Sequence, residues 1–334
     1  MRHLAALAVV AIVTAGACGT DQDPALDVPD DRSTVSSTTT TTTAAAPTTI
    51  PATERPERWV GINDDGRLVV VATATGEVER VLGEFDHPTE CPEGDEPVAG
   101  CQWVVEAAVT ADGEQVYFET CCEPAPGVVY RVPIDGGEAV QITYGGYPAV
   151  DPAGERLAVV ELQWVTVVPL TGGEQRSFRD DDGEVASFLQ GMSWSPDGST
   201  LAFSVHDEDG ERMRLHLLDV ATATSFDDAR PVPQPPGASW TLPQYRADGK
   251  LIVAGQEPNL TGPPIPGPAA GLVVDPRTGS VEEEFDYGGR VASQHVDASG
   301  VHLLYTLEDG SVHWRSSGGE TAALAPSGYV AAAW

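Results

Sequence analysis

Residues 191–205 read Gly191-Met192-Ser193-Trp194-Ser195-Pro196-Asp197-Gly198-Ser199-Thr200-Leu201-Ala202-Phe203-Ser204-Val205. An apolar run leads into a tight polar turn, and a second apolar run leads out of it. Each turn residue has its own reason to be there: proline presets φ, aspartate accepts from the backbone two residues on, and glycine tolerates a positive φ. Short runs rich in branched and aromatic residues, bounded by turn signals, are the pattern of buried strands.

The unit recurs. Its turn glycine returns at Gly113, Gly154, Gly198, Gly249 and Gly300, at intervals of 41, 44, 51 and 51 residues. A period of about 40–50 residues matches one four-stranded propeller blade. Strand-like runs follow the turns, among them Gln115–Phe118, Arg156–Val160 and Leu201–Phe203. Half a repeat later comes a second hairpin, more polar on its outgoing side. It turns at Thr75-Gly76, Asp135-Gly136-Gly137, Thr171-Gly172-Gly173, Ala221–Thr224, Thr278-Gly279 and Gly318-Gly319. That makes six outer hairpins against five inner ones.

The mismatch locates the closure of the ring. Trp59–Asn63 precedes the first outer hairpin as a second strand without an innermost partner. The chain ends in Gly328-Tyr329-Val330-Ala331-Ala332-Ala333-Trp334, which matches the innermost strands opening at Gly146-Tyr147 and Gly191-Met192. The last strand is therefore expected to complete the first blade, which removes the exposed sheet edges of an open array. The expected fold is all-β, a six-bladed propeller over residues 58–334.

The Ser-Pro-Asp-Gly repeat resembles the WD-like repeats of the TolB-type six-bladed propellers of bacterial envelopes, most closely at 191–205. TolB-type proteins carry an N-terminal α/β domain ahead of the ring. Here a low-complexity segment holds that place, so the resemblance does not imply partnership with a peptidoglycan-associated lipoprotein.

Residues 1–17 combine Arg2 and His3 with the apolar core Leu4–Val13 and small residues before Cys18. Such a core is too short to span a membrane and reads as an export signal. The small residues resemble a bacterial lipobox, which implies that Cys18 is acylated, palmitate being an expected chain, and becomes the new N-terminus. Ala15 stands where such boxes usually carry Leu, and Ala15-Gly16-Ala17 also suits ordinary signal peptidase. The tether-like segment that follows favours lipidation. Residues 18–57, with a Thr-dominated run over Ser33–Thr49, lack apolar periodicity and read as a disordered linker.

The formal net charge of −33, with 18 basic residues against 51 acidic ones, makes nucleic acid, anionic lipid surfaces and other polyanions poor partners, so no nucleic acid is expected. The remaining cysteines, Cys91, Cys101, Cys121 and Cys122, suit two disulfides in an exported chain. The hairpin at Asp112-Gly113 brings Cys101 beside Cys121 and Cys122. Pairing Cys101 with one and Cys91 with the other is the first reading, and Cys91–Cys101 plus a vicinal Cys121–Cys122 bond is the alternative.

Blade geometry puts tight glycine turns on one face and the longer segments on the other. Those segments are 83–101, 179–189, 206–210, 227–237 and 256–268, and loops on a rigid scaffold carry most binding functions. The innermost strands open at this face with Trp103, Tyr147, Met192, Trp240, Arg290 and Tyr329. These are candidate ligand-binding residues, although aromatics of this kind also serve as packing between blades. The acidic runs 180–183 and 207–210 lack the alternating oxygens of an EF-hand loop and read as solvated turns. No zincin, nucleophile-elbow, Walker or dinucleotide pattern occurs, so neither a metal nor a cofactor is expected. The expected function is a cell-surface lipoprotein, held to the membrane by Cys18, whose propeller binds an envelope protein or extracellular ligand without catalysis. The alternative is a propeller lyase or hydrolase with its site at the channel mouth.

Overall fold

Apolar runs alternating with glycine turns fold into a closed ring. A computed structural model of the chain describes residues 55–84, 103–121, 127–161, 164–179, 189–207, 212–256 and 269–334. The expected signal peptide, Cys18 and nearly all of the linker lie outside them. So do Cys91, Cys101 and Cys122, whereas Cys121 is placed by its backbone opposite Trp103.

The first blade contains β1 (Arg58–Asn63), β2 (Arg67–Ala72) and β3 (Val78–Glu84). The second is β4 (Trp103–Val109), β5 (Gln115–Cys121), β6 (Val128–Pro133) and β7 (Val140–Tyr144). The third is β8 (Gly146–Val150), β9 (Arg156–Glu161), β10 (Trp164–Pro169) and β11 (Arg176–Phe178). The fourth is β12 (Leu189–Trp194), β13 (Thr200–His206), β14 (Met213–Asp219) and β15 (Arg230–Pro231). The fifth is β16 (Ser239–Tyr245), β17 (Leu251–Gln256), β18 (Ala270–Val274) and β19 (Val281–Asp286). The sixth is β20 (Val291–Val296), β21 (His302–Leu307), β22 (Val312–Ser316) and β23 (Thr321–Ala325). Finally β24 (Tyr329–Ala333) returns to pair antiparallel with β1, giving the first sheet the order β24-β1-β2-β3. The C-terminal strand thus completes the first blade, as expected from its sequence.

Burial explains why these strands read as apolar runs rather than alternating ones. A strand in mid-blade is covered on both faces by neighbouring blades, so β2 is buried over Leu68–Val71 and β21 throughout. The outermost β7 and β19 face solvent and are mostly exposed. The core is correspondingly divided into clusters that each join two blades. Phe118 and Val132 of the second blade meet Ile62 and Leu68 of the first, and Phe178 of the third meets Trp194 and Phe203 of the fourth. The seam that closes the ring packs Trp59, Val71 and Ala332 against Leu304, Val312 and Ala325.

The repeated turn is built from side-chain oxygens. Ser195 Oγ donates to Asp197 Oδ1 at 2.6 Å and accepts the Thr200 amide at 2.9 Å. Asp197 also accepts the Ser199 amide at 3.0 Å, and these bonds hold its carboxyl below the usual aspartate range. Thr110, Asp112 and the Glu114 and Gln115 amides repeat the arrangement in the second blade.

Blade four departs from the sequence reading. The sequence places the turn of its outer hairpin at Ala221–Thr224, with an outgoing strand to Phe226 and the next connection over 227–237. Instead Phe226–Asp228 form a 3-10 turn, and the outermost strand is the short β15. Asp228 accepts the Thr224 and Ser225 amides and caps the 3-10 turn, while Phe226 packs against Phe203 with ring centroids 5.3 Å apart.

Candidate functional site

The innermost strands β24, β4, β8, β12, β16 and β20 surround the axis, each starting at the end of the ring where blade-to-blade connections arrive. The strand ends flanking 85–102, 122–126, 162–163, 180–188, 208–211 and 257–268 all stand at this end. The opposite end carries the tight turns, together with the longer connection 220–229 of blade four.

Every innermost strand breaks register near its start. Val105, Tyr147-Pro148, Gly191, Leu242-Pro243, Ala292 and Val330 are left outside the ladders. A bulge bends its strand and re-aims nearby side chains, and rims are where bulges gather. Tyr147 (φ 51°) and Leu242 (φ 53°) take left-handed conformations that non-glycine residues rarely adopt. Gly191 (φ 61°) is fixed by contact, because a Cβ there would stand 3.0 Å from the Leu242 Cα. The sequence shows no sign of this ring of bulges.

Polar side chains then lace the inner strands together. Ser193 Oγ accepts the Tyr245 amide at 2.9 Å, and Ser293 Oγ accepts the Ala332 amide at 3.3 Å. Gln294 Nε2 donates to the Leu242 carbonyl, and Gln294 Oε1 accepts from the Tyr287 hydroxyl.

One polar cluster goes beyond lacing. Glu106 on β4 and Glu119 on β5 are direct partners across their ladder, so their side chains share a face. Glu106 Oε1 lies 3.0 Å from His295 Nε2 on β20, with both side chains 17% exposed. Blades two and six are not neighbours, so this bond passes in front of β24, whose residues there are alanines. Glu119 is buried and its Oε2 accepts the Tyr147 amide at 2.9 Å. Burial, reinforced by the Glu106 charge and opposed by the Tyr147 bond, pushes its carboxyl up to about 7. The cluster therefore offers two carboxylates and an imidazole, one of them able to exchange a proton near neutrality. Sequence reasoning passed over all three. The legible signal was a charge inside an otherwise apolar strand, as in Trp103–Val109 and Gln115–Cys121.

The expected ligand residues are placed differently from one another. Trp240 and Met192 are core side chains between blades. Tyr329 is half-buried edge-on to Trp59, with ring centroids 4.9 Å apart. Arg290 lies at the surface, 3.1 Å from Glu308. Only the backbone of Trp103 is described. Of the five whose side chains are described, Tyr147 is the one joined to the polar cluster. The acidic runs 180–183 and 208–210 lie outside the described residues.

Two other places resemble sites on first inspection. Ser311 Oγ is 2.8 Å from His313 Nε2, but it also donates to Asp309 at 2.6 Å and is buried, so the three residues close a turn. At the tight-turn end a cleft of ≈ 180 Å³ lies beside Arg156, Glu174 and Arg176. Arg156 is spent on Asp151 and the Gly198 carbonyl, and Arg176 on the Val220 and Ala223 carbonyls. Among the described residues no group of three or more His, Cys, Asp or Glu side chains is arranged to hold a metal ion.

Closed ring, four-stranded antiparallel blades and C-terminal closure together define a six-bladed β-propeller. Its fold is TolB-like. The chain is similar to the crystal structure of TolB from Acinetobacter baumannii, with a TM-score of 0.60 and 14% identity, over 83% of this chain and 65% of that one. It is also similar to a putative TolB from Agrobacterium tumefaciens, with a TM-score of 0.55 and 16% identity, over 80% of this chain and 87% of that one. Hydrazine synthase from Kuenenia stuttgartiensis matches with a TM-score of 0.52 and 16% identity, over 78% and 73%. These likenesses are of fold. No protein-family model and no curated protein sequence matches the chain.

Proposed function

We propose that this chain is an exported lipoprotein, held at the outer surface of the cell membrane by acylated Cys18, whose propeller is a non-catalytic binding module for an envelope protein or extracellular ligand. The observation that carries the reading is the asymmetry of the ring. One end has short turns in every blade but the fourth, whose outer connection spans 220–229. The other gathers the longer connections around a bulged mouth, and rigid scaffolds characteristically bind through such connections. The described chain begins at the tight-turn end, where Arg55 stacks over Trp314 at 5.1 Å. A tether arriving there turns the mouth outward. The deficit of basic residues favours a neutral or basic partner.

Photo-cross-linking in intact cells tests this. Gly237 at the mouth and Gly172 at the other end hold positive φ and should be left intact. Exposed Pro236 and Thr171 take the reactive residue instead. A discrete adduct from position 236 alone is expected. Equal labelling from both ends would show that the mouth is not the functional face.

Glu106, His295 and Glu119 favour one second reading, a lyase or hydrolase using these groups as acid and base, since a carboxyl near 7 is suited to proton transfer at neutral pH. A turnover that His295→Asn abolishes, found in a substrate screen, would establish it over the binding module.

A further inference from the structure

We infer that Glu119 is a proton-operated latch on the channel mouth: protonated, it stays folded against a cradle of glycines and holds Tyr147; ionised, it leaves for solvent and releases Tyr147. The inference rests on the mouth being the binding face only for its consequence, since the latch is a property of the ring itself.

The cradle leaves no room for side chains at its two glycines. A Cβ on Gly146 would stand 2.5 Å from Glu119 Oε1, and one on Gly127 2.7 Å from the same oxygen. The Gly145 amide donates to the Gly127 carbonyl at 2.6 Å, so the strand entering blade three is tied to the strand leaving the second-blade hairpin directly beside the carboxyl. Immediately after it, Tyr147 sits at φ 51° with its amide on Glu119 Oε2. A non-glycine residue keeps that conformation only while its surroundings hold it. Glu119 is a part of those surroundings that can titrate.

The charges around the cradle decide the direction. From β4 comes Glu106, of like sign. From β20 comes His295, already bonded to Glu106. Arg131 on β6 faces Tyr117 at the far end of its strand. Glu161 on β9 receives Trp164 and Thr166. No charged residue lies on β7 or β8. Among the described residues the carboxylate in its cradle therefore has a desolvated site, a like charge and one amide. Its neutral form is the one that fits.

A carboxyl that titrates near 7 inside the cradle and near the ordinary 4.5 outside it binds its proton more tightly in the closed form. Closure is therefore favoured at low pH and lost as pH rises through 7, with a shift in the closed-to-open ratio of up to about 300-fold. The biological consequence is a mouth that presents Tyr147 differently on the two sides of neutrality.

Hydrogen exchange on the full chain between pH 5.5 and 8.5 tests the latch without any ligand. After correction for intrinsic exchange, protection of the Tyr147 amide is expected to fall at least tenfold as pH rises through 7. Glu119→Gln, a permanent mimic of the neutral form, is expected to stay protected throughout. Protection that is independent of pH in the wild type, or an equal fall in the variant, would overturn the latch. A carboxyl-carbon NMR titration of wild-type Glu119 supplies a reading that does not depend on the variant folding. A midpoint near 7 supports the latch and one below 5.5 overturns it. Mouth cross-linking that fails while this titration holds would count against the binding module alone.

Discussion

His295 Nε2 lies 3.0 Å from Glu106 Oε1, although the two residues are 189 positions apart and belong to blades that are not neighbours in the ring. The bond spans the first blade from within, so it is made only when the ring has closed. It is expected to tie blades two and six together more strongly than surface polar pairs do, because both side chains are largely buried. Glu106→Gln or His295→Asn should each cost about 1–3 kcal/mol, as removal of one partner of a buried hydrogen bond does. A double-mutant cycle by urea unfolding checks this, and additive losses would show that the two groups do not interact.

The closing seam predicts a steric effect. A Cβ on Gly61 would lie 2.7 Å from both the Trp59 and Tyr329 rings, which are packed edge to face. Gly61→Ala should therefore force apart the residues that hold the last strand to the first, at a cost of about 1–3 kcal/mol. The urea midpoint should drop with an unchanged slope.

Glu119 predicts a pH dependence of global stability with a definite sign. Its folded pKa is raised to about 7 from an ordinary 4.5, so its contribution is present below 4.5 and is lost as pH rises through 7. Converted at 1.36 kcal/mol per unit, the loss has a ceiling of about 3 kcal/mol, less whatever local opening of the cradle relieves. The difference in unfolding free energy between wild type and Glu119→Gln should swing toward the variant from pH 5 to pH 8. A constant difference would contradict the burial cause.

Arg156 predicts the cost of a stranded carboxylate. It holds Asp151 Oδ2 at 2.8 Å, donates to the Gly198 carbonyl across the blade interface and lies 4.5 Å over the Trp194 ring. The Asp151 side chain is only 2% exposed. Arg156→Met should lower stability by about 2–4 kcal/mol by leaving that charge buried without its cation. Adding Asp151→Asn should restore part of the loss.

Cys18 predicts partitioning. Cys18→Ala should abolish incorporation of labelled fatty acid and move the protein from the membrane fraction to the medium. Retention of the label would place the acyl group elsewhere.

The architecture was legible because its signals are local. Ser195, Asp197 and Gly198 close their turn with bonds among themselves and residues two to five positions on, so the turn looks the same in sequence and in space. Blade four shows where local reading fails. Nothing in Thr224–Asp228 announces that Asp228 will take the preceding amides and displace the outer strand to Arg230–Pro231. The expected ligand residues show the same limit. Position at the start of an innermost strand was readable for Trp240 and Met192, but the face each would turn was not, because the bulges that set it depend on the adjacent blade.

Repeat period, turn chemistry and the unpaired Trp59–Asn63 strand were sufficient to establish six blades and their closure by the C-terminal strand. Those features need only short-range bonding and one unmatched edge. The Glu106–His295 bond, the glycine cradle of Glu119 and the left-handed Tyr147 came from the tertiary structure alone. The first needs a finished circle, because its blades are not neighbours, and the other two need blade three packed on blade two.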